Sequence, residues 1–129
     1  MKTLFTSLLV APLIILSAFT LQSNIDGVIG ALRSGNAEEL SKYFDENVEL
    51  TLPDKSDNYS KAQALQIVRD FFNNNSVTNF EVKHKGDNGS GQFCIGTLQT
   101  KSGNFRTTVF MKMKGDKQVV KQIRFQALE

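Results

Sequence analysis

His84 is the only histidine in the chain, and an imidazole is the side chain best suited to exchange a proton near neutral pH. In a pocket it would serve as a general base or as a donor that orients a ligand. Such a base needs a second group to hold its ring, and Tyr43, Tyr59 and Asp70 are the residues available for that role. No acidic partner accompanies His84 in the local strand pattern. The other reading is therefore a part-buried histidine near a strand end, satisfied by a neighbour. The lone cysteine, Cys94, excludes an intramolecular disulfide and a Cys-rich metal site. Phosphate-cradling glycine loops, zinc-ligand spacings and nucleophile elbows are all missing. The residues imply no metal and no cofactor, and any catalysis would rest on His84.

The elements that must position these groups follow from periodicity. Ile25, Val28, Ile29 and Leu32 recur at helical spacing behind Asn24, a plausible N-cap, and Gly35 supplies the stop. Leu40 and Phe44 mark a short second helix, with Glu38 and Glu39 in its first turn where negative charge suits the dipole. Val48, Leu50 and Leu52 alternate as a short strand ended by Pro53, and 54–59 read as a polar loop. Ser60 caps the longest helix, 61–72, whose Ala64, Leu65, Val68, Phe71 and Phe72 share a face. Tyr59, just before that cap, is placed to staple onto the first turn. From Val77 onward the period becomes two, and four strands fit 77–86, 91–101, 105–114 and 118–126.

Register assigns the faces, because paired residues of antiparallel strands point the same way. An Asn88-Gly89 two-residue turn sets His84 opposite Phe93, Val82 opposite Ile95 and Phe80 opposite Thr97. A three-residue loop over 102–104 pairs Thr97 with Val109 and Ile95 with Met111. The last hairpin, turning at 115–117, pairs Val109 with Ile123. The inner face, and the lining of any pocket, is then Phe80, Val82, His84, Phe93, Ile95, Thr97, Val109, Met111 and Ile123, with Lys121 reaching the rim by its long stem. The outer face is mainly polar, with Arg106, Arg124, Lys112 and Lys114. Cys94, Leu98, Phe110 and Val120 form an apolar strip on it, of the kind that marks an interface.

Charge divides unevenly. Residues 23–80 carry five Lys/Arg and nine Asp/Glu, whereas 81–129 carry nine and four. The basic sheet suits a solvated face or an acidic partner. Export makes nucleic acid an unsuitable partner. Export itself is read from the N-terminus: Met1-Lys2, then apolar sequence from Leu4 to Phe19, then small and polar residues ending in Gln22-Ser23. This is the layout of a bacterial signal peptide over 1–22, followed by one domain over 23–129 in the periplasm or outside the cell. An uncleaved anchor is the alternative, and only that would bring the chain to a membrane. The stretch is barely long enough to span one, and Pro12 interrupts it.

Helix, short helix, strand, long helix and a four-strand meander is an order that resembles the nuclear transport factor 2-like superfamily. Asn58-Tyr59-Ser60-Lys61, Phe80-x-x-x-His84-x-Gly86, Ile95-Gly96-Thr97-Leu98-x-Thr100 and Gly103-Asn104-Phe105-Arg106 resemble, more narrowly, a family of exported bacterial proteins with no assigned function. The resemblance implies a cystatin-like α+β fold: a curved antiparallel sheet, four strands of meander plus a short first strand, wrapped cone-like around three N-terminal helices. It also implies a pocket at the cone's open end and a homodimer through the outer sheet face. No single activity follows, since the fold hosts enzymes, binding modules and interaction domains.

Three functional expectations remain. The first is an exported non-catalytic domain binding a small apolar ligand or a protein partner. The second is a dehydratase- or isomerase-type enzyme using His84. The third is a homodimeric interaction domain whose pocket is filled core. A cavity of about 300 Å³ between sheet and helices would separate the first two from the third.

Overall fold

A computed structural model describes residues 24–128, so the expected signal peptide lies outside the described residues. Helix α1 (Asn24–Ser34) buries Ile25, Val28, Ile29, Ala31 and Leu32, the stripe its spacing dictates. Asn36 caps the short helix α2 (Ala37–Ser41) by accepting from the Glu39 N–H. Helix α3 (Lys61–Asn75) begins in a capping box, in which Ser60 and Gln63 each satisfy the other's backbone N–H, and buries Ala64, Val68, Phe71 and Phe72. It ends at Ser76, whose left-handed φ of 57° turns the chain into the sheet.

Six strands form one sheet: β1 (Phe44–Leu52), β2 (Lys55–Ser60), β3 (Val77–Asp87), β4 (Gln92–Thr100), β5 (Gly103–Lys114) and β6 (Lys117–Ala127). Their order is β2-β1-β6-β5-β4-β3, curved and unclosed. All neighbours are antiparallel except β1 and β6, which run parallel.

Two elements differ from the sequence reading. Phe44 opens β1 instead of closing α2, and the polar stretch before α3 is an edge strand, not a loop. Strand β2 is exposed along nearly its whole length, so it carries no apolar alternation to reveal it. Its definition comes from pairing with β1, from Leu52↔Lys55 to Asn47↔Ser60.

The register departs further. Strands β3 and β4 are joined by a four-residue loop, Asn88 to Gly91, closed by the Asn88 N–H to the Gly91 carbonyl at 3.1 Å. That keeps His84 on the face of Ile95 and Phe93. A bulge between Val82 and His84 then moves the first half of β3 to the opposite parity, so Phe80 pairs with Leu98 and Val82 with Gly96. The β4–β5 turn is tight, with Thr100 opposite Gly103, and this sets Cys94 against Val109 and Leu98 against Phe105. A second irregularity, where Met111 meets Val120 directly after Phe110 meets Gln122, leaves Lys121 exposed and sends Val120 inward.

The core under the helices therefore holds Phe80, Cys94, Leu98, Val109, Met111, Val120, Ile123 and Phe125, each 0–1 % exposed. Phe71 of α3 lies 4.7 Å from Phe125 and 5.0 Å from Phe105, ring centre to ring centre, and Phe72 lies 6.0 Å from Phe125. These spacings are those of rings in direct attractive contact. A side chain with no accessible area borders no water-sized void, so the inner face is filled along these residues.

Candidate functional site

The residues expected to line an inner pocket separate onto two faces. Phe80, Val109, Met111 and Ile123 are in the core, and Val82 is half-buried against it. His84, Phe93, Ile95 and Thr97 lie on the outer face, reversed by the bulge in β3 and the short turn after β4. Lys121 is exposed beside the irregularity in β6 instead of reaching a pocket rim. Of the expected interface strip, Cys94, Leu98 and Val120 are fully buried and cannot meet another molecule. Burial pushes the Cys94 thiol up to about 12, and nearby Lys85 opposes this only in part. A thiol so shifted is unreactive at neutral pH. Phe110 does stand on the outer face, half-buried, with its ring centre 6.5 Å from that of Phe93.

Outer-face neighbours across the strands are Phe93, Phe110, Gln122 and Glu49 in one row, and His84, Ile95, Thr108, Arg124 and Thr51 in the next. The third row holds Glu81, Thr97, Arg106 and Gln126. Lys83, His84, Ile95, Gly96, Thr97, Arg106 and Leu128 surround a groove of about 360 Å³ on this face. Among the described residues the His84 side chain has no hydrogen bond or ion pair, so nothing orients its ring as a general base requires. Tyr43, Tyr59 and Asp70 do not line the groove. The Tyr43 hydroxyl packs onto Gly27 of α1, Tyr59 leans on the core, and Asp70 accepts from Gln66 at 3.2 Å.

Asp45 is a polar centre that the sequence pattern did not single out. Its side chain, 10 % exposed, bonds Lys114 at 2.7 Å and Lys112 at 2.9 Å and accepts the Glu46 N–H at 2.8 Å. The Lys114 ammonium first, then that of Lys112, holds the Asp45 carboxyl well below the usual carboxylate range. The sixty-odd residues between the partners hid the cluster, since no local spacing links β1 to β5. A carboxyl depressed in the folded state is protonated more readily in the unfolded chain, so its stabilisation is complete above its ordinary pKa and fades on acidification below it. Asp45→Asn is expected to lower stability at pH 7 by about 1–2 kcal/mol, a figure reduced for the half-exposed lysines. In urea titrations the gap to the wild type should persist to about pH 5, begin to narrow below about pH 4 and go on narrowing as the pH falls toward the depressed folded-state value. A gap unchanged down to about pH 3 would contradict the assignment.

The family described as "Domain of unknown function (DUF4783)" matches residues 25–126. The crystal structure of a DUF4783 family protein from Bacteroides ovatus is similar at 38 % identity and a TM-score of 0.77, covering 80 % of this chain and 94 % of that one. One from Bacteroides uniformis gives 38 % and 0.78, covering 81 % and 96 %. An NTF2-like protein of unknown function from Cytophaga hutchinsonii shares the fold at 10 % identity, with a TM-score of 0.58 over 81 % of this chain and 86 % of that one. No curated protein matches the chain.

Proposed function

The chain belongs to the DUF4783 family and has the NTF2-like fold, and from that premise we propose that it is a non-catalytic docking domain that pairs with a second copy through the outer face of its sheet. One observation carries this reading: the centre of the inner face is filled by side chains without accessible surface, whereas Phe93 and Phe110 remain part-exposed together on a face that none of the described helices covers. Of the earlier expectations, the filled interior favours the interaction domain over a small apolar ligand held in the cone. The lack of an orienting partner for His84 among the described residues speaks against a dehydratase or isomerase. Self-pairing is supported by the resemblance, which implies dimers through this same face, and by a strip that is apolar at its centre and flanked by polar side chains. The signal-peptide reading of residues 1–22 puts the docking outside the cytoplasm.

Native mass spectrometry of protein recovered from the exported fraction reads both claims at once. The expected species is a dimer of chains beginning near Ser23. Phe110→Glu places a charge in the strip and is expected to weaken the dimer by about a hundredfold, a loss of about 2–3 kcal/mol. A wild-type monomer at about 100 μM, a concentration at which even micromolar dimers are populated, would sink the docking reading. An uncleaved chain would sink the export reading.

A further inference from the structure

We propose that the groove between β3, β4 and β5 on the outer face is a binding site for a small carboxylate carrying a short aliphatic body. Its shape originates in the bulge at Lys83. An extra residue between Val82↔Gly96 and His84↔Ile95 bends β3, and consecutive residues Lys83 and His84 both line the groove instead of alternating across the sheet. Ile95 supplies an apolar floor. Leu128, 49 % exposed, supplies an apolar wall and is held beyond the end of β6 by its N–H to the Asn104 carbonyl at 3.0 Å.

Every polar side chain that lines the groove, Lys83, His84, Thr97 and Arg106, can donate a hydrogen bond. Lys83 is held by Glu81 at 3.1 Å, so that pair is locally neutral. The side chain of Arg106, cross-strand neighbour of Thr97, has no hydrogen bond or ion pair among the described residues. Its guanidinium is always charged and offers a planar fork that matches a carboxylate, while an imidazole N–H and the Thr97 hydroxyl add donors beside it. An uncompensated guanidinium next to an apolar floor and wall is complementary to a molecule with one anionic end and one apolar end. A volume of about 360 Å³ lies within the range of small-molecule sites.

The test is calorimetric titration of the purified protein with hexanoate, alongside hexanamide as its neutral counterpart. Saturable hexanoate binding at about millimolar or tighter is expected, with hexanamide weaker by about tenfold. Arg106→Gln should weaken hexanoate by about tenfold or more and leave hexanamide unchanged. Were Arg106→Gln to lower the melting temperature, Leu128→Asp reads the same groove from outside the sheet and should also remove binding. Equal affinity for acid and amide, an unchanged affinity in Arg106→Gln, or no saturation would each overturn the proposal. The groove does not rest on the dimer. A monomeric wild type that binds hexanoate would remove only the docking reading, and a dimer that does not bind it would remove only the groove.

Discussion

Phe125→Ala is expected to lower the stability of the protein by about 3–5 kcal/mol, the range for deleting a buried phenyl ring from a core that cannot collapse around the loss. Phe125 has no accessible surface and stands between Phe71 and Phe72 of α3, at 4.7 and 6.0 Å. It is therefore a principal contact between the long helix and the sheet. Folded domains of this size are stable by about 5–15 kcal/mol, so the variant should keep its fold with a much reduced margin. Urea unfolding would show a lower midpoint at an unchanged slope. The result also bears on function. A loss under about 1 kcal/mol would mean that the interior has slack, and would return weight to a ligand inside the cone. A filled interior predicts instead that only the variant takes up benzene, in the space the ring vacated.

Gly96→Ala should cost about 2–3 kcal/mol for one added methyl group. A Cβ at Gly96 would overlap the Glu81 carbonyl oxygen and lie 2.7 Å from Cζ of Phe80. The first obstacle is backbone in the neighbouring strand and cannot rotate away. The second is a fully buried ring. Relief requires β3 to separate from β4 at the bulge, where Val82 pairs with Gly96 and where the outer groove is shaped. Amide hydrogen exchange should therefore accelerate along β3 as the urea midpoint falls, while β5 and β6 stay protected until global unfolding. Gly30→Ala is the matched control: no described residue outside α1 lies within 4 Å of a Cβ there, and α1 should gain roughly 0.5–1 kcal/mol. A Gly96→Ala midpoint equal to the wild type would show that β3 and β4 are less closely apposed than described.

Glycine at position 96 illustrates how the two faces of β4 come to be told apart. On one side the strand presents Phe93, Ile95 and Thr97, on the other Cys94, Gly96 and Leu98. Both sets are apolar enough to be core, so alternation does not choose between them. The choice falls to the turn after Thr100 and the bulge at Lys83, each of which shifts pairing by an odd number of residues and so exchanges the faces. This is why a site centred on His84 was expected inside and is found outside. The same shift explains why Cys94 and Leu98 of the expected interface are core; Val120 turns inward at the separate irregularity between β5 and β6, and Phe110 alone kept its face.

The sequence by itself determined most of the helices and the order of most elements, because those depend on local physics, and the fold followed from the resemblance that this order carries. The apolar stripe of α1, the reciprocal cap of Ser60 and Gln63, and the change of period after Asn75 are each complete within a few residues. Tertiary structure alone decided the strand β2, the parallel seam between β1 and β6, the Asp45–Lys112–Lys114 cluster, and which side of the sheet carries His84 and Arg106. Those features depend on pairing between segments distant in the chain. There a single unpaired residue in a ladder changes the face of every side chain beyond it, and no local pattern records where it falls.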